Sequence, residues 1–299
     1  MNVAAIDIGT NSVRLLITDA SGRELVRHMQ ITRLGQAVDV TGELHPDAIA
    51  RTIAVLEEYR CDITAHSVGR LRATATSAAR DAKNSSVFFD RAERALGQRP
   101  ELLPGDDEAS LSFRGATSGL SGAFPAPYLV IDIGGGSTEF VLGDASPEQL
   151  ISTNMGCVRM AERHLKDDPP TDAQIEACFQ DVRRLLGDVQ KAIDVSRART
   201  VVGLAGTITT LACLAQDLTV YDPARTHRSI LTLTQVEGLF ARLSAADLDA
   251  RRKMLVDPKR AEVIVGGAAV LVTLMRTLAI GELVVSETDI LDGLAASLR

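Results

Sequence analysis

The sequence has no tryptophan, and aromatic residues make up only 3% of its 299 positions. Any core must therefore be built from Ala, Val, Leu and Ile. Cysteine is sparse: Cys61, Cys157, Cys178 and Cys213 are scattered with no Cys-x-x-Cys pair. That spacing argues against a zinc ribbon and a disulfide framework, and predicts buried free thiols in a reducing cytosol. An excess of positive charge is also missing, with 32 Lys and Arg against 39 Asp and Glu and a net charge of −7. Non-specific nucleic-acid binding needs a basic face, so nucleic acid is not an expected partner, whereas a small polyanion needs only a local cluster of donors. The uncharged apolar run Val263 to Met275 is too short to span a bilayer and stops at Arg276, which predicts a buried helix. The first residues read at once as a strand and leave no room for a signal peptide, so a cytoplasmic protein without membrane attachment is expected. Several catalytic signatures are absent too. There is no G-x-x-x-x-G-K-[ST], no G-x-S-x-G elbow and no zinc spacing among the five histidines, and Glu139 stands where G-x-G-x-x-G would need its third glycine.

What the chain does have is a repeat. Residues 4–19 read AAIDIGTNSVRLLITD and residues 129–144 read LVIDIGGGSTEFVLGD. Aligning Asp7 with Asp132 matches Ile, Asp, Ile, Gly, Ser and the closing Asp. Each copy is an apolar run, a small glycine-containing turn and a second apolar run, the pattern of a β-hairpin. A repeat over this separation predicts two duplicated domains. Strands are expected at Arg23–Gln30, Ser67–Ala73, Arg199–Leu204 and Leu283–Ser286. Helices are expected at Pro46–Arg60, from Asn84 or Ser85 to Gly97, from near Asp106, and at Ala261–Leu278. Thr171 with Gln174 and Thr234 with Glu237 read as capping boxes. Strands interleaved with helices predict an α/β class. The segment Ser118–Pro127 reads as a linker, dividing the chain into domains at 1–122 and 123–299 on either side of a cleft.

Both turns are candidate phosphate sites. A tight glycine turn exposes backbone amides in a concave array that binds phosphate oxygens. Gly134, Gly135 and Gly136 allow close approach, Ser137 and Thr138 add hydroxyls, and Asn11 and Ser12 offer similar groups beside Gly9 and Thr10. The plainer reading is two ordinary hairpin turns, but the matched pair favours phosphate. Asp7 and Asp132 each end an apolar strand, where a carboxylate is costly unless paired or on a metal. Two such carboxylates suit Mg²⁺, which keeps several waters and also takes phosphate oxygens; alternatively, each caps its own turn. The segment Ala73–Asn84 carries hydroxyls and Arg80. Asp106, Asp107 and Glu108 fall on a helix N-terminus, where interaction with the helix dipole is a sufficient reason for them. The basic residues Arg251, Arg252, Lys253, Lys259 and Arg260 suit a polyanion or a solvated helix face.

The segments AIDIGTNSVRLLI, ATATSAARDAKN, LPGDDEASLSF, VIDIGGGSTEFVLG, GLAGTITTLA, RAEVIVGGAAVLVTLM and VVSETDILDG occur in that order. Over nearly its whole length the chain thereby resembles the exopolyphosphatase/guanosine-pentaphosphatase family. The resemblance implies two ribonuclease-H-like domains of the actin/Hsp70/sugar-kinase superfamily around a cleft. It also implies Mg²⁺- or Mn²⁺-dependent hydrolysis of terminal phosphoanhydrides. By matching motifs, Glu108 takes the place of the water-activating glutamate. Asp132 and Glu139 take the acidic positions around metal and water, and Asn11, Arg14, Arg80 and Gly134–Thr138 the phosphate-contacting ones. The expected substrate is inorganic polyphosphate, with guanosine pentaphosphate as the alternative. A superfamily kinase using Gly203–Ala212, or a non-enzymatic phosphate or nucleotide sensor, are more distant readings. A homodimer is expected. The sequence departs from the family at Asp107-Glu108-Ala109, at Arg228 after His227, and at Leu291, where an arginine usually precedes the acidic-Gly pair. The extension of longer members is absent, so a long binding path for polyphosphate is expected either to be missing or to come from a second subunit.

Overall fold

The computed structural model describes residues 1–120 and 122–299. It divides into two compact units: residues 1–115 with 289–299, and residues 116–288. This corrects the sequence-based boundary, because the chain's last eleven residues pack with the first unit. Ser121, inside the expected linker, lies outside the described residues.

The first unit begins with β1 (Asn2–Ile8), β2 (Ser12–Thr18) and β3 (Glu24–Ile31). After these come α1 (Val38–Thr41), α2 (Pro46–Ala65), β4 (Val68–Ala75), α3 (Ser77–Asp81), α4 (Ser85–Leu96), β5 (Glu101–Leu102) and α5 (Gly105–Thr117). Its sheet runs in the order β3-β2-β1-β4-β5. The first three strands are antiparallel, and β4 and β5 run parallel to β1. Helix α2 shows why the sequence folds this way locally. Pro46 fills its first position, where a missing N–H costs nothing, and the His45 side chain accepts from the Asp47 amide. Ile49, Ile53, Leu56, Tyr59 and Ile63 then recur at helical spacing on the buried face. Each of the aliphatic ones contributes ~1.5–3 kcal/mol on burial. The Tyr59 hydroxyl donates to the Val13 carbonyl at 3.1 Å, fixing the helix to β2.

The second unit contains β6 (Tyr128–Ile133), β7 (Thr138–Gly143), β8 (Pro147–Thr153), α6 (Cys157–His164) and α7 (Asp172–Ala192). It continues with β9 (Thr200–Leu204), α8 (Ala205–Ala215), α9 (Pro223–Thr226), β10 (Ile230–Thr232), α10 (Leu233–Ala245), α11 (Leu248–Met254), α12 (Ile264–Thr277) and β11 (Glu282–Val285). The last element, α13 (Ile290–Ala296), belongs to the first unit. The second sheet has the order β8-β7-β6-β9-β11-β10. Its first five places repeat the first sheet, with β6, β7 and β8 antiparallel and β9 and β11 parallel to β6. Two sheets of this order are two ribonuclease-H-like units, and the repeat seen in the sequence is a repeat of structure. Helix α12 is buried on all sides, as the apolar run predicts.

Some local expectations shift. The reciprocal capping box before α10 is Thr232 with Gln235, two residues earlier than Thr234 with Glu237. Thr171 accepts from the Gln174 amide, but the Gln174 side chain reaches Asp167, so only half of that box forms. Cys61 is exposed, while the other three cysteines are free and buried as expected. Among the described residues, no helix is long and apolar enough to cross a membrane.

Candidate active site

The two repeated turns have the same backbone bonding. The Gly9 amide donates to the Ser12 carbonyl at 2.9 Å, and the Gly134 amide to the Ser137 carbonyl at 3.0 Å. In each unit, the segment after the third strand braces the turn. Thr32 and Arg33 donate to the Asn11 carbonyl, and Gly35 donates to the Thr10 carbonyl. In the second unit the first amides of α6 do the same work. Cys157 donates to Gly134, and Val158 and Arg159 donate to Gly135, so the orphan donors of the helix start are satisfied by the turn's carbonyls. Arg159 Nε adds a bond to the Gly136 carbonyl at 2.7 Å. A Cβ on Gly156 would meet the Gly135 oxygen at 2.2 Å, so this close approach requires glycine. With the carbonyls engaged, no acceptor among the described residues meets the amides of Gly135 and Gly136. An array of unengaged backbone amides is an anion-binding surface.

Thr138 is not part of that surface. It is fully buried, and its hydroxyl donates to the Met155 carbonyl at 2.6 Å. The expectation of a phosphate-binding hydroxyl at this position is therefore corrected: Thr138 braces the turn. Ser137 is buried as well, and Ser12 is half-buried.

The carboxylates differ between the units at equivalent places. In the first hairpin, Asp7 pairs in register with Arg14. Arg14 Nη2 and Nε donate to Asp7 Oδ2 at 2.6 and 3.1 Å, and its Nη1 donates to Asp289 Oδ2. In the second hairpin the same register joins Asp132 to Glu139, two acids 7% and 1% exposed. Like charges opposite one another in a sheet are destabilising unless a cation or donors intervene. One donor is Ser152, whose hydroxyl reaches Glu139 Oε1 at 2.7 Å.

Asp7 is 4% exposed, and its Oδ1 has no hydrogen-bond partner among the described residues; nor does the buried Asn11 Oδ1 in the same turn. Burial pushes the Asp7 carboxyl above the usual carboxylate range, against the pull of Arg14, and the nearby Asp289 charge acts in the same upward direction as burial. Two buried acceptor oxygens lacking donors fit a divalent cation. No group of three or more His, Cys, Asp or Glu side chains with metal-holding geometry exists among the described residues. Mg²⁺ is commonly held by one or two carboxylates together with waters and substrate phosphates.

Arg80 and Glu108 meet within the first unit. The segments after β4 and β5 run beside the first turn: Thr76 donates to the Ile8 carbonyl at 3.2 Å, and Leu103 to the Ala75 carbonyl at 3.0 Å. The carboxyl ends of three parallel strands thus lie together, the usual place for ligands in open α/β sheets. Arg80 Nη1 donates to the Leu103 carbonyl at 2.8 Å and reaches Glu108 Oε2 at 3.4 Å. The Glu108 side chain is only 12% exposed, whereas Asp106 and Asp107 are exposed. Of the three first-turn acids in α5, it is Glu108 that faces the arginine.

A family model described as the Ppx/GppA phosphatase family matches residues 17–298. The chain belongs to that family. Exopolyphosphatase 2 of Mycobacterium tuberculosis is 44% identical over 99% of this chain and 98% of its own length. A crystal structure of an exopolyphosphatase-like protein, 38% identical, superposes with a TM-score of 0.96 over 100% of this chain and 98% of that one. Guanosine-5'-triphosphate,3'-diphosphate pyrophosphatase of Vibrio atlanticus is 28% identical over 98% of this chain, which spans 58% of that enzyme.

The positions where the chain departs from the family pattern now have physical settings. Leu291 is 1% exposed in an apolar cluster with Ala5, Leu16, Leu103 and Leu111, so this is a packing position. Arg228 adopts a left-handed φ of 65°, a conformation that favours glycine, and its guanidinium donates to the Gly119 carbonyl. Of the basic run, Arg251 is buried and ties the Ala246 and Ala261 carbonyls to Asp168; Arg252 pairs with Asp249. Both residues are thus engaged in local structure. Asp289 was not singled out from sequence. Its signal was Asp289-x-x-Asp292 before an apolar run, an acidic variant of the capping-box pattern.

Proposed function

We propose that the chain hydrolyses the terminal phosphoanhydride of inorganic polyphosphate and releases orthophosphate. The observation that carries this reading is the half-buried Glu108 carboxylate, held 3.4 Å from Arg80 at the carboxyl ends of β4 and β5. The full-length likeness to an exopolyphosphatase supports it. Glu108 orients a water molecule and accepts its proton as the water oxygen bonds to the terminal phosphorus. The bridging P–O bond breaks, and the shortened polyphosphate leaves with the electron pair. Arg80 fixes the Glu108 carboxylate and offers its remaining donors to phosphate oxygens. The free amides of the glycine turn hold phosphate oxygens in the second unit, and Asn11 and Ser12 offer such contacts in the first. Phosphoryl transfer depends mainly on such positioning and charge stabilisation. Asp7 in the first unit, and Asp132 with Glu139 in the second, are the residues to hold Mg²⁺ or Mn²⁺, which when bound neutralises phosphate charge. The protein acts as a cytoplasmic homodimer, with neither nucleic acid nor membrane as partner.

Hydrolysis of guanosine pentaphosphate to the tetraphosphate is the second reading. It is favoured by the likeness to the Vibrio pyrophosphatase along 98% of the chain. Phosphate release from short polyphosphate, long polyphosphate and guanosine pentaphosphate, measured in parallel, decides between them. The first reading requires the larger kcat/KM on polyphosphate; no release from any of the three overturns both.

A further inference from the structure

The Arg14 guanidinium is shared between two carboxylates, and the sharing is unequal. Nε and Nη2 both go to one oxygen of Asp7, Oδ2, while Nη1 goes to Asp289. An arginine facing a lone carboxylate commonly engages both of its oxygens in a fork. Here Asp7 Oδ1 remains without a donor. Asp289 is itself fixed. Its Oδ1 accepts from the Leu291 amide at 2.9 Å, and its own amide donates to Asp292 Oδ2 at 3.0 Å, closing the cap of α13. Asp292 in turn holds Arg27. The backbone at Asp289 is pressed against α5 so closely that a Cβ on Gly115 would come within 1.8 Å of the Asp289 oxygen.

We infer that Asp289 is a positioning residue. It holds Nη1 of Arg14 away from Asp7, so that Arg14 grips only Oδ2 and leaves Oδ1 as a cation ligand. The inference rests on the reading of Asp7 as a metal ligand. The Asp289→Asn variant separates the two. Asparagine caps a helix about as well as aspartate, so α13 remains. With its oxygen kept on the Leu291 amide, however, it presents an NH₂ where Oδ2 stood, and that donor cannot accept from Arg14. With its anchor lost, Arg14 forks onto both oxygens of Asp7.

The test is Mn²⁺ binding without substrate, followed by the loss of the free-ion electron paramagnetic resonance signal, alongside Mg²⁺ titrations of activity. Outer-shell partners of metal ligands are typically worth 10–100-fold in affinity. Asp289→Asn is expected to weaken Mn²⁺ binding and raise the half-activating Mg²⁺ concentration at least tenfold, with KM for polyphosphate at saturating Mg²⁺ little changed. Asp292→Asn loosens α13 without touching Arg14, and should leave Mn²⁺ binding as in the wild type. If Asp7→Asn abolishes Mn²⁺ binding while Asp289→Asn leaves it unchanged, the positioning role is wrong and the metal reading stands. If Asp292→Asn weakens binding as much as Asp289→Asn, the effect is only that of a loosened helix, and the inference again fails. If Asp7→Asn leaves Mn²⁺ binding intact, the metal reading itself fails, and the inference with it.

Discussion

Replacing Glu108 by Gln removes a base while keeping shape and an acceptor oxygen for Arg80. The consequences for stability are small by construction. The Arg80–Glu108 contact is long at 3.4 Å and partly exposed, and pairs of this kind contribute ~0.2–1 kcal/mol. The first-turn dipole interaction adds ~0.3–1 kcal/mol. Arg80 keeps its 2.8 Å bond to the Leu103 carbonyl in the variant, so the guanidinium does not drift. The catalytic loss is on another scale. A positioned general base contributes ~10²–10⁴-fold, or roughly 3–5 kcal/mol of barrier at 1.36 kcal/mol per tenfold. Asp106 and Asp107 are exposed and do not face Arg80, so they cannot substitute. The assay is steady-state phosphate release from short polyphosphate, with melting temperature and polyphosphate affinity measured on the same preparation. Expected are a fall in kcat of at least a hundredfold, a melting temperature shifted by only a few degrees, and nearly unchanged affinity. Asp106→Asn should retain most activity. A Glu108→Gln enzyme turning over within threefold of wild type would reduce Glu108 to a helix-dipole partner and refute the mechanism.

Chelation should abolish phosphate release without altering the circular dichroism spectrum, and added Mg²⁺ should restore it; full activity in excess chelator contradicts the roles of Asp7 and Asp132. Leu291→Arg, which restores the residue common in the family, should destabilise the fold by at least about 3 kcal/mol, because it overpacks a filled site and buries a charge. A variant with unchanged melting temperature and higher activity would show instead that position 291 faces substrate. Gly156→Ala forces a methyl against the backbone of Gly135 and Gly136, and should cost about 1–3 kcal/mol and lower phosphate affinity as the turn moves. Burial alone would raise the Asp181 carboxyl, but hydrogen bonds from His164, Arg163 and Arg184 outweigh it and hold it at about 2. A depressed carboxylate stabilises the fold above its ordinary range, near pH 4, and that contribution is lost as pH falls towards 2. The stability gap between wild type and Asp181→Asn, measured by urea unfolding, should therefore be full at pH 6 and shrink below pH 4.

Much of this molecule was legible because its signals are local. The hairpins around Asp7 and Asp132, the helix starting at Pro46 and the buried run of α12 are each dictated by residues within a turn or two of one another. Boundaries slipped where two local solutions compete. Thr232 and Thr234 both precede a Gln or Glu at the right spacing, and the helix takes the earlier start because β10 has already ended. The edge strand β8 was missed because it is mostly half-buried and carries no strong alternation. The larger misses are non-local. Nothing near Ile290, Leu291 and Leu294 says which sheet their apolar face covers, and Arg14 meets Asp289 across 275 positions. Thr138 illustrates the opposite limit: its place in a glycine turn suggested a donor to phosphate, while the acceptor it serves, Met155, becomes visible only once β8 turns back.

The return of residues 289–299 to the first unit has a consequence for how the protein is made. On the ribosome, residues 1–115 emerge first, yet the helix that covers Ala5, Leu16, Leu103 and Leu111 is translated only after the whole of 116–288. At ~5–20 residues per second, that interval lasts roughly 9–35 s. Throughout it, the nascent first unit presents an uncovered apolar strip, and Arg14 and Arg27 lack their later carboxylate partners. The second unit, contiguous in sequence, has no such wait. A nascent chain stalled near residue 288 should therefore hold a protease-resistant second unit beside a first unit that remains cleavable and draws chaperones, until α13 is released to close it.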